Sequence, residues 1–263
     1  MNRRDFLLRS GAAVSLSLLA KGPLSAQTPA PAAPATPVPI QPPPLVTEFR
    51  PLRRNVGLFT GRGGSIGYLA AKDALAAVDT QFPDTAKLFL DGLPGRAGRK
   101  FDVLVNSHHH GDHTGGNQQF WLKGATLVAT KELAASMTTG TTNALTGAKT
   151  APSPKAAIPS QTYSGATSLS VKGRRVQLTH MPTSHTKGDT AVFVADANVL
   201  STGDIVSIGA RYPNIDVGDG GDIDGILQRV KVTDVGRRCD HLHRMPVTQF
   251  IGCCVEFVAI APA

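Results

Sequence analysis

Four of the chain's eight histidines fall within six positions, in the run Asn106-Ser107-His108-His109-His110-Gly111-Asp112-His113. Imidazoles and a carboxylate at this spacing are ligands for a divalent metal. Zinc matches such nitrogen and oxygen donors best, and iron and manganese accept them too. Two further segments carry the same chemistry: Pro182-Thr183-Ser184-His185-Thr186-Lys187-Gly188-Asp189-Thr190 and Ser201-Thr202-Gly203-Asp204. Side chains on an extended loop alternate, so His108 and His110 point the same way. The spacing groups His108, His110 and His185 around one ion, and Asp112 and His113 around a second. Asp204 is suited to bridge them, because a carboxylate accepts a metal on each oxygen. A purely structural zinc site fits less well, since such sites are usually closed with cysteines, whereas histidine-carboxylate sites keep a position open for water. His109, between ligands, is expected to face away from the ions, and His180 to be packed or at the surface.

The elements that must position these residues are legible as short strands. Asn55 to Phe59 and Ser65 to Leu69 read as strands around the turn Gly61-Arg62-Gly63-Gly64, which lacks the lysine, Ser/Thr and helix of a phosphate loop. A strand at 74–78 ends in Asp79, and residues 84–93 carry a helical apolar period. The buried-type strand Phe101-Asp102-Val103-Leu104-Val105 runs straight into the histidine run, so that strand fixes the backbone while the loop aims side chains. A strand at 127–129, a helix at 131–137, and strands at 174–179, 190–194 and 198–201 follow. The Thr/Ser/Ala/Gly/Pro-rich stretch 139–167 is expected to be a loop or partly disordered insertion. Asp216 to Asp224 lacks the spacing of a calcium loop and reads as a turn followed by a helix capped by Asp222 or Asp224.

Composition narrows the class. Of the formal charge of +8, the first 26 residues contribute +3, and the remaining +5 is scattered among few aromatics. That is not the footprint of a nucleic-acid binder. Residues 1–26 read as an export signal: paired arginines at Arg3 and Arg4, a short apolar stretch, and small residues at Leu24-Ser25-Ala26. The apolar stretch is too short to span a bilayer, so membrane contact is expected only through the signal. The twin arginine resembles the Tat signal, which implies a periplasmic address. Residues 27–46 read as a Pro/Ala-rich spacer, residues 47–230 as the folded domain, and residues 231–263 as an atypical tail.

The histidine run, the His185-Thr186-x-Gly188-Asp189 segment and Thr202-Gly203-Asp204, in that order, resemble the metallo-β-lactamase-fold hydrolases over roughly residues 50–229. The resemblance implies a four-layer αβ/βα sandwich with metals in a groove at one edge of the two sheets. It implies that Asp79 supports the ligands from behind. It also implies that water activated by the metals, with Asp112 orienting it, attacks a small ester, thioester, lactone or amide, a β-lactam included. An aspartate at position 204 resembles the glyoxalase II, lactonase and esterase branches, where the commonest dizinc lactamases carry cysteine. Arg211 and Tyr212, in a loop resembling one of exported members, are candidate substrate contacts.

The tail departs from that pattern. The family's further histidine, in a Gly-His-Gly-type turn near the C-terminus, is missing. Cys239, Cys253 and Cys254 all fall in the last 25 residues, an awkward set of thiols for an oxidising compartment. An altered reading frame or divergent terminus accounts for this, with His241 and His243 as stand-in ligands. A metal-binding but catalytically impaired protein is the alternative function.

Overall fold

Val, Leu and Phe at alternating positions decide which way each strand of the first sheet faces. The structure, a computed structural model, describes residues 45–206, 213–232 and 257–259. Strands β1 (Glu48–Arg53), β2 (Val56–Thr60), β3 (Ile66–Ala70) and β4 (Leu75–Val78) pair antiparallel in sequence. Helix α1 (Pro83–Gly92) follows β4, and β5 (Val103–Val105) and β6 (Thr126–Thr130) then add in parallel. Between β5 and β6 lie two short helices, α2 (Gly111–Thr114) and α3 (Asn117–Leu122). Helix α4 (Lys131–Thr139) is capped by Thr130, whose side chain accepts from the Leu133 amide. A hairpin, β7 (Thr141–Thr142) with β8 (Lys149–Thr150), precedes β9 (Gln161–Tyr163), which closes the seven-stranded sheet in parallel with β6.

The second sheet is antiparallel throughout. Its order is β10 (Ala166–Val171), β11 (Arg174–His180), β12 (Thr190–Val194), β13 (Val199–Ser201) and β14 (Phe257–Ala259). Helix α5 (Ile223–Val232) follows a 3₁₀ turn at Val217–Asp219.

Period-two alternation divides the apolar side chains between two cores. Val56, Leu58, Leu69, Val105 and Val128 of the first sheet meet Val176, Leu178, Val192 and Val199 of the second. Phe59, Ile66, Leu104 and Leu127 point the other way, onto Ala86, Phe89 and Leu90 of α1 and Phe120 of α3. Phe89 stacks on Phe120 at 5.6 Å between ring centroids, and Phe101 meets Phe120 edge-on at 5.0 Å. This is the mixed α/β architecture expected from the sequence, with helices on one sheet and that sheet on another.

The departures are local. Residues 139–167 are not a featureless loop. They hold the end of α4, the β7–β8 hairpin, a 3₁₀ turn, the edge strand β9 and the start of β10. Their polar, threonine-rich strands have no apolar alternation to read, because β9 sits at a sheet edge and β7–β8 bury little. Strand β1 was likewise missed, since none of its residues is fully buried. From the tail, β14 supplies the strand beside β13. Arg211, Tyr212, His241, His243 and the three cysteines lie outside the described residues.

Candidate metal centre

The groove residues hang from the C-terminal ends of β4 and β5 in one sheet and from the loops after β11 and β13 in the other. Beyond β5 the chain is held by Asn106 N–H donating to Val128 O and by Ser107 O accepting from Thr190 N–H. It then turns into α2, where His113 and Thr114 amides donate to His110 O. Asp79 follows β4 in a left-handed conformation, φ 64°. Its fully buried carboxylate accepts from the Ser107 amide at 2.7 Å, from Ser107 Oγ at 2.6 Å, and faces His113 Nδ1 at 3.0 Å. The His185 loop is closed by Asp189, which accepts from both the amide and the hydroxyl of Thr186. Burial pushes the Asp189 carboxyl up to about 7. Gly203 approaches Ser107 too closely for a side chain, since a Cβ there would lie 2.6 Å from Ser107 Oγ, and its φ of +50° is left-handed. Asp204 follows directly.

Each of the four converging imidazoles has one nitrogen tied to the scaffold. His108 Nδ1 lies 3.0 Å from Ser107 Oγ, whose proton goes to Asp79. His110 Nε2 lies 2.9 Å from Asp216 Oδ2, and His185 Nδ1 lies 2.6 Å from Asn214 O. His113 Nδ1 is held by Asp79. A neutral imidazole that donates from one nitrogen presents a lone pair from the other. The inward atoms are therefore His108 Nε2, His110 Nδ1, His185 Nε2 and His113 Nε2. His185 Nε2 and His110 Nδ1 are 3.0 Å apart, and His108 Nε2 is buried without a hydrogen-bond partner. Lone pairs facing each other over that distance are satisfied by a cation between them. Nitrogens at ~2.0–2.1 Å from a tetrahedral zinc are spaced by about 3.3 Å, close to what is seen.

Asp204 divides its oxygens between two groups. Oδ1 lies 3.3 Å from His113 Nε2, while Oδ2 lies 3.7 Å from His185 Nε2 and 4.0 Å from His108 Nε2. Two donor sets surround it, His108 with His110 and His185, and His108 with His113 and Asp204; a third, His109 with His110 and Asp216, shares His110. Asp112 joins from the rim, Oδ2 being 3.6 Å from His113 Nε2 with its side chain 37% exposed. Burial, and then the crowd of neighbouring imidazoles, drags His108 well below the usual histidine range. It stays neutral, the form that ligates a metal. Burial pushes Asp204 up, but His113 and the other imidazoles outweigh it and hold the carboxyl below its ordinary value.

The metallo-beta-lactamase superfamily's sequence profile matches residues 59–233, which take in every one of these groups. The chain belongs to the metallo-beta-lactamase superfamily. As such it is a hydrolase of a metal-dependent, small-molecule class, and its histidine-rich groups are able to hold a metal. Solved structures agree on the fold. A metallo-beta-lactamase of Cronobacter sakazakii with a HARLDQ motif superposes with a TM-score of 0.53 at 18% identity, covering 67% of this chain and 69% of its own. One from Pontibacter korlensis gives 0.52 at 17% identity, covering 71% and 85%. Against the SMB-1 and MIM-2 metallo-beta-lactamases, the match spans only 54% and 53% of their length. No curated protein sequence matches the chain significantly.

Within this superfamily member, the structure brings together His108, His110, His113, His185, Asp112 and Asp204, with Asp79 behind them. His109, expected to face away from the ions, packs beside His110, their ring centroids 4.6 Å apart, and shares a possible donor set with it and Asp216. It is buried, with Nδ1 3.3 Å from Asp219 Oδ2, and burial pulls it down to about 4. His180 is packed, its Nε2 2.8 Å from Lys187 O. Asp222 takes the capping role, accepting from the Asp224 and Gly225 amides. Sequence reasoning missed Ser107, Asn214 and Asp216 as partners of the ligand rings. Asp216 lies 106 positions from His110, and an aspartate in a turn carries no local pattern that points so far.

Proposed function

We propose that the chain is an exported, zinc-dependent hydrolase acting on a small ester, thioester, lactone or amide, β-lactams included. The observation that carries this reading is the convergence of four tethered imidazoles on Asp204, with their inward nitrogens facing it and each other. His108, His110 and His185 would hold one ion; His113, Asp112 and Asp204 would hold a second, Asp204 spanning both. Such ions, when bound, supply Lewis acidity that brings the pKa of water to ~7 and polarises a carbonyl. Asp112, on the rim beside His113, accepts a hydrogen bond from the attacking water at Oδ2 and takes up its proton. Asp79 and Asp216 hold His113 Nδ1 and His110 Nε2, which turns the opposite nitrogen of each ring inward. The aspartate at position 204, rather than a cysteine, supports ester, thioester and lactone substrates over a lactamase specialisation. The arginine pair and short apolar stretch near the N-terminus support export to a periplasm.

A second reading, a metal-binding but catalytically impaired member, is favoured by one observation. Among the described residues, His113 is the one imidazole of its group not shared with the other. Elemental analysis of the purified chain, followed by turnover of chromogenic ester, thioester, lactone and lactam panels, separates the two. The hydrolase reading expects retained zinc and turnover that His110→Ala abolishes. Zinc without turnover supports the second reading. A folded chain that takes up no zinc defeats both.

A further inference from the structure

One buried carboxylate outside the ligand set touches every segment that carries the three-histidine group. Asp219 is 3% exposed and sits at the end of the 3₁₀ turn. Its Oδ1 accepts from Ser136 Oγ of α4 at 2.9 Å and from Lys187 Nζ at 2.7 Å. Its Oδ2 lies 3.3 Å from His109 Nδ1, in the middle of the histidine run. Its backbone joins in: the carbonyl accepts from the Lys187 amide, and the amide donates to Asp216 O at 3.0 Å. Of the two residues flanking this node, one holds a ligand and the other neighbours one in the chain. Lys187 is two positions from His185, and Asp216 holds His110 Nε2. The turn is pressed against the His185 loop as well, with the Asp216 amide donating to His185 O and a Cβ at Gly221 lying 2.2 Å from that oxygen.

We propose that Asp219 is a positioning residue that locks His110 and His185 at their mutual spacing through the 3₁₀ turn, with His109 as its contact to the histidine run. The inference rests on the metal-site reading above. Two otherwise independent loops and one helix converge on this carboxylate, so its loss loosens the turn that follows Asn214 and Asp216. Lys187 already neutralises Asp219, which makes the group a strut and not a further cation site.

The test uses the full chain. Zinc affinity is read by competition with a chromogenic chelator, and ligand geometry by the visible absorption of the cobalt(II)-substituted protein. Asp219→Ala is expected to weaken zinc binding by about 10–100-fold, the usual scale for losing an outer support of a ligand, and to shift the cobalt bands. Asp219→Asn keeps an acceptor for Ser136 and Lys187 and is expected to recover most of both. A folded Asp219→Ala with wild-type affinity and an unchanged cobalt spectrum overturns the proposal, whatever its melting temperature. Should that variant not fold, Lys187→Met, at a half-exposed position, severs the same strut from the His185 loop. Severalfold weaker binding then supports the role, and unchanged binding overturns it. Wild-type chain that binds no zinc overturns the metal reading and this inference together. Zinc-competent wild type with an indifferent Asp219→Ala defeats only the latter.

Discussion

Asp79 shows how much one buried side chain can be asked to hold. Replacing it with alanine strands the Ser107 amide, the Ser107 hydroxyl and His113 Nδ1 in a fully buried site. Each unpaired buried group costs about 1–3 kcal/mol. Asp79→Ala is therefore expected to lose at least ~3 kcal/mol of stability in urea unfolding, even in metal-free protein. A change below ~1 kcal/mol would mean that the carboxylate is dispensable to the fold. His110→Ala should behave in the opposite way, with stability of the metal-free chain nearly kept and zinc retention lost, read by elemental analysis after gel filtration. The residues meant to face a metal were legible because histidine and aspartate crowd into one short run. Their partners were not legible. Ser107, Asn214 and Asp216 act through single hydrogen bonds made across long sequence separations, and no spacing rule marks them.

Strand ends and tight turns carry the next level of control. Gly203 has a φ of +50° and lies against Ser107, and because Asp79 holds Ser107 in place, Gly203→Ala displaces Asp204 instead. The expected result is weakened binding of the second ion at an intact first site. It would be seen as a drop in bound zinc per chain, with the first binding step unchanged in calorimetric titration. Equal loss of both steps would place Gly203 in the common scaffold instead. At this scale the sequence was informative wherever a strand is buried. Val103 to Val105, Thr190 to Val194 and the β2–β3 hairpin follow from apolar runs and glycine turns. It was uninformative where strands lie at edges. β1, β9 and the β7–β8 hairpin owe their pairing to neighbours and not to their own alternation, so tertiary context decided them.

A metal held by these groups would tie the two sheets together, because the groups come from the loops of both. Zinc at ~100 times its dissociation constant adds about 2.7 kcal/mol to the native state if the unfolded chain does not bind it. Thermal unfolding with zinc and then with excess chelator is expected to show that difference in the wild type. His185→Ala should show much less. Identical melting with and without chelator would mean that the ion, if held at all, does not bridge the sheets. The two-core layering was legible from period-two patterns, but the meeting of the loops was not, since sequence order says little about which strand ends share a groove. That arrangement sets the timing of assembly. A chain still being made offers a passing ion only the local run from His108 to His113, a loose and promiscuous grip. The complete cage appears only after the second sheet has docked and brought His185 and Asp204 alongside. Non-local contacts of this kind form late. The topology thus favours folding first and loading second, and leaves the choice of ion to a finished cavity.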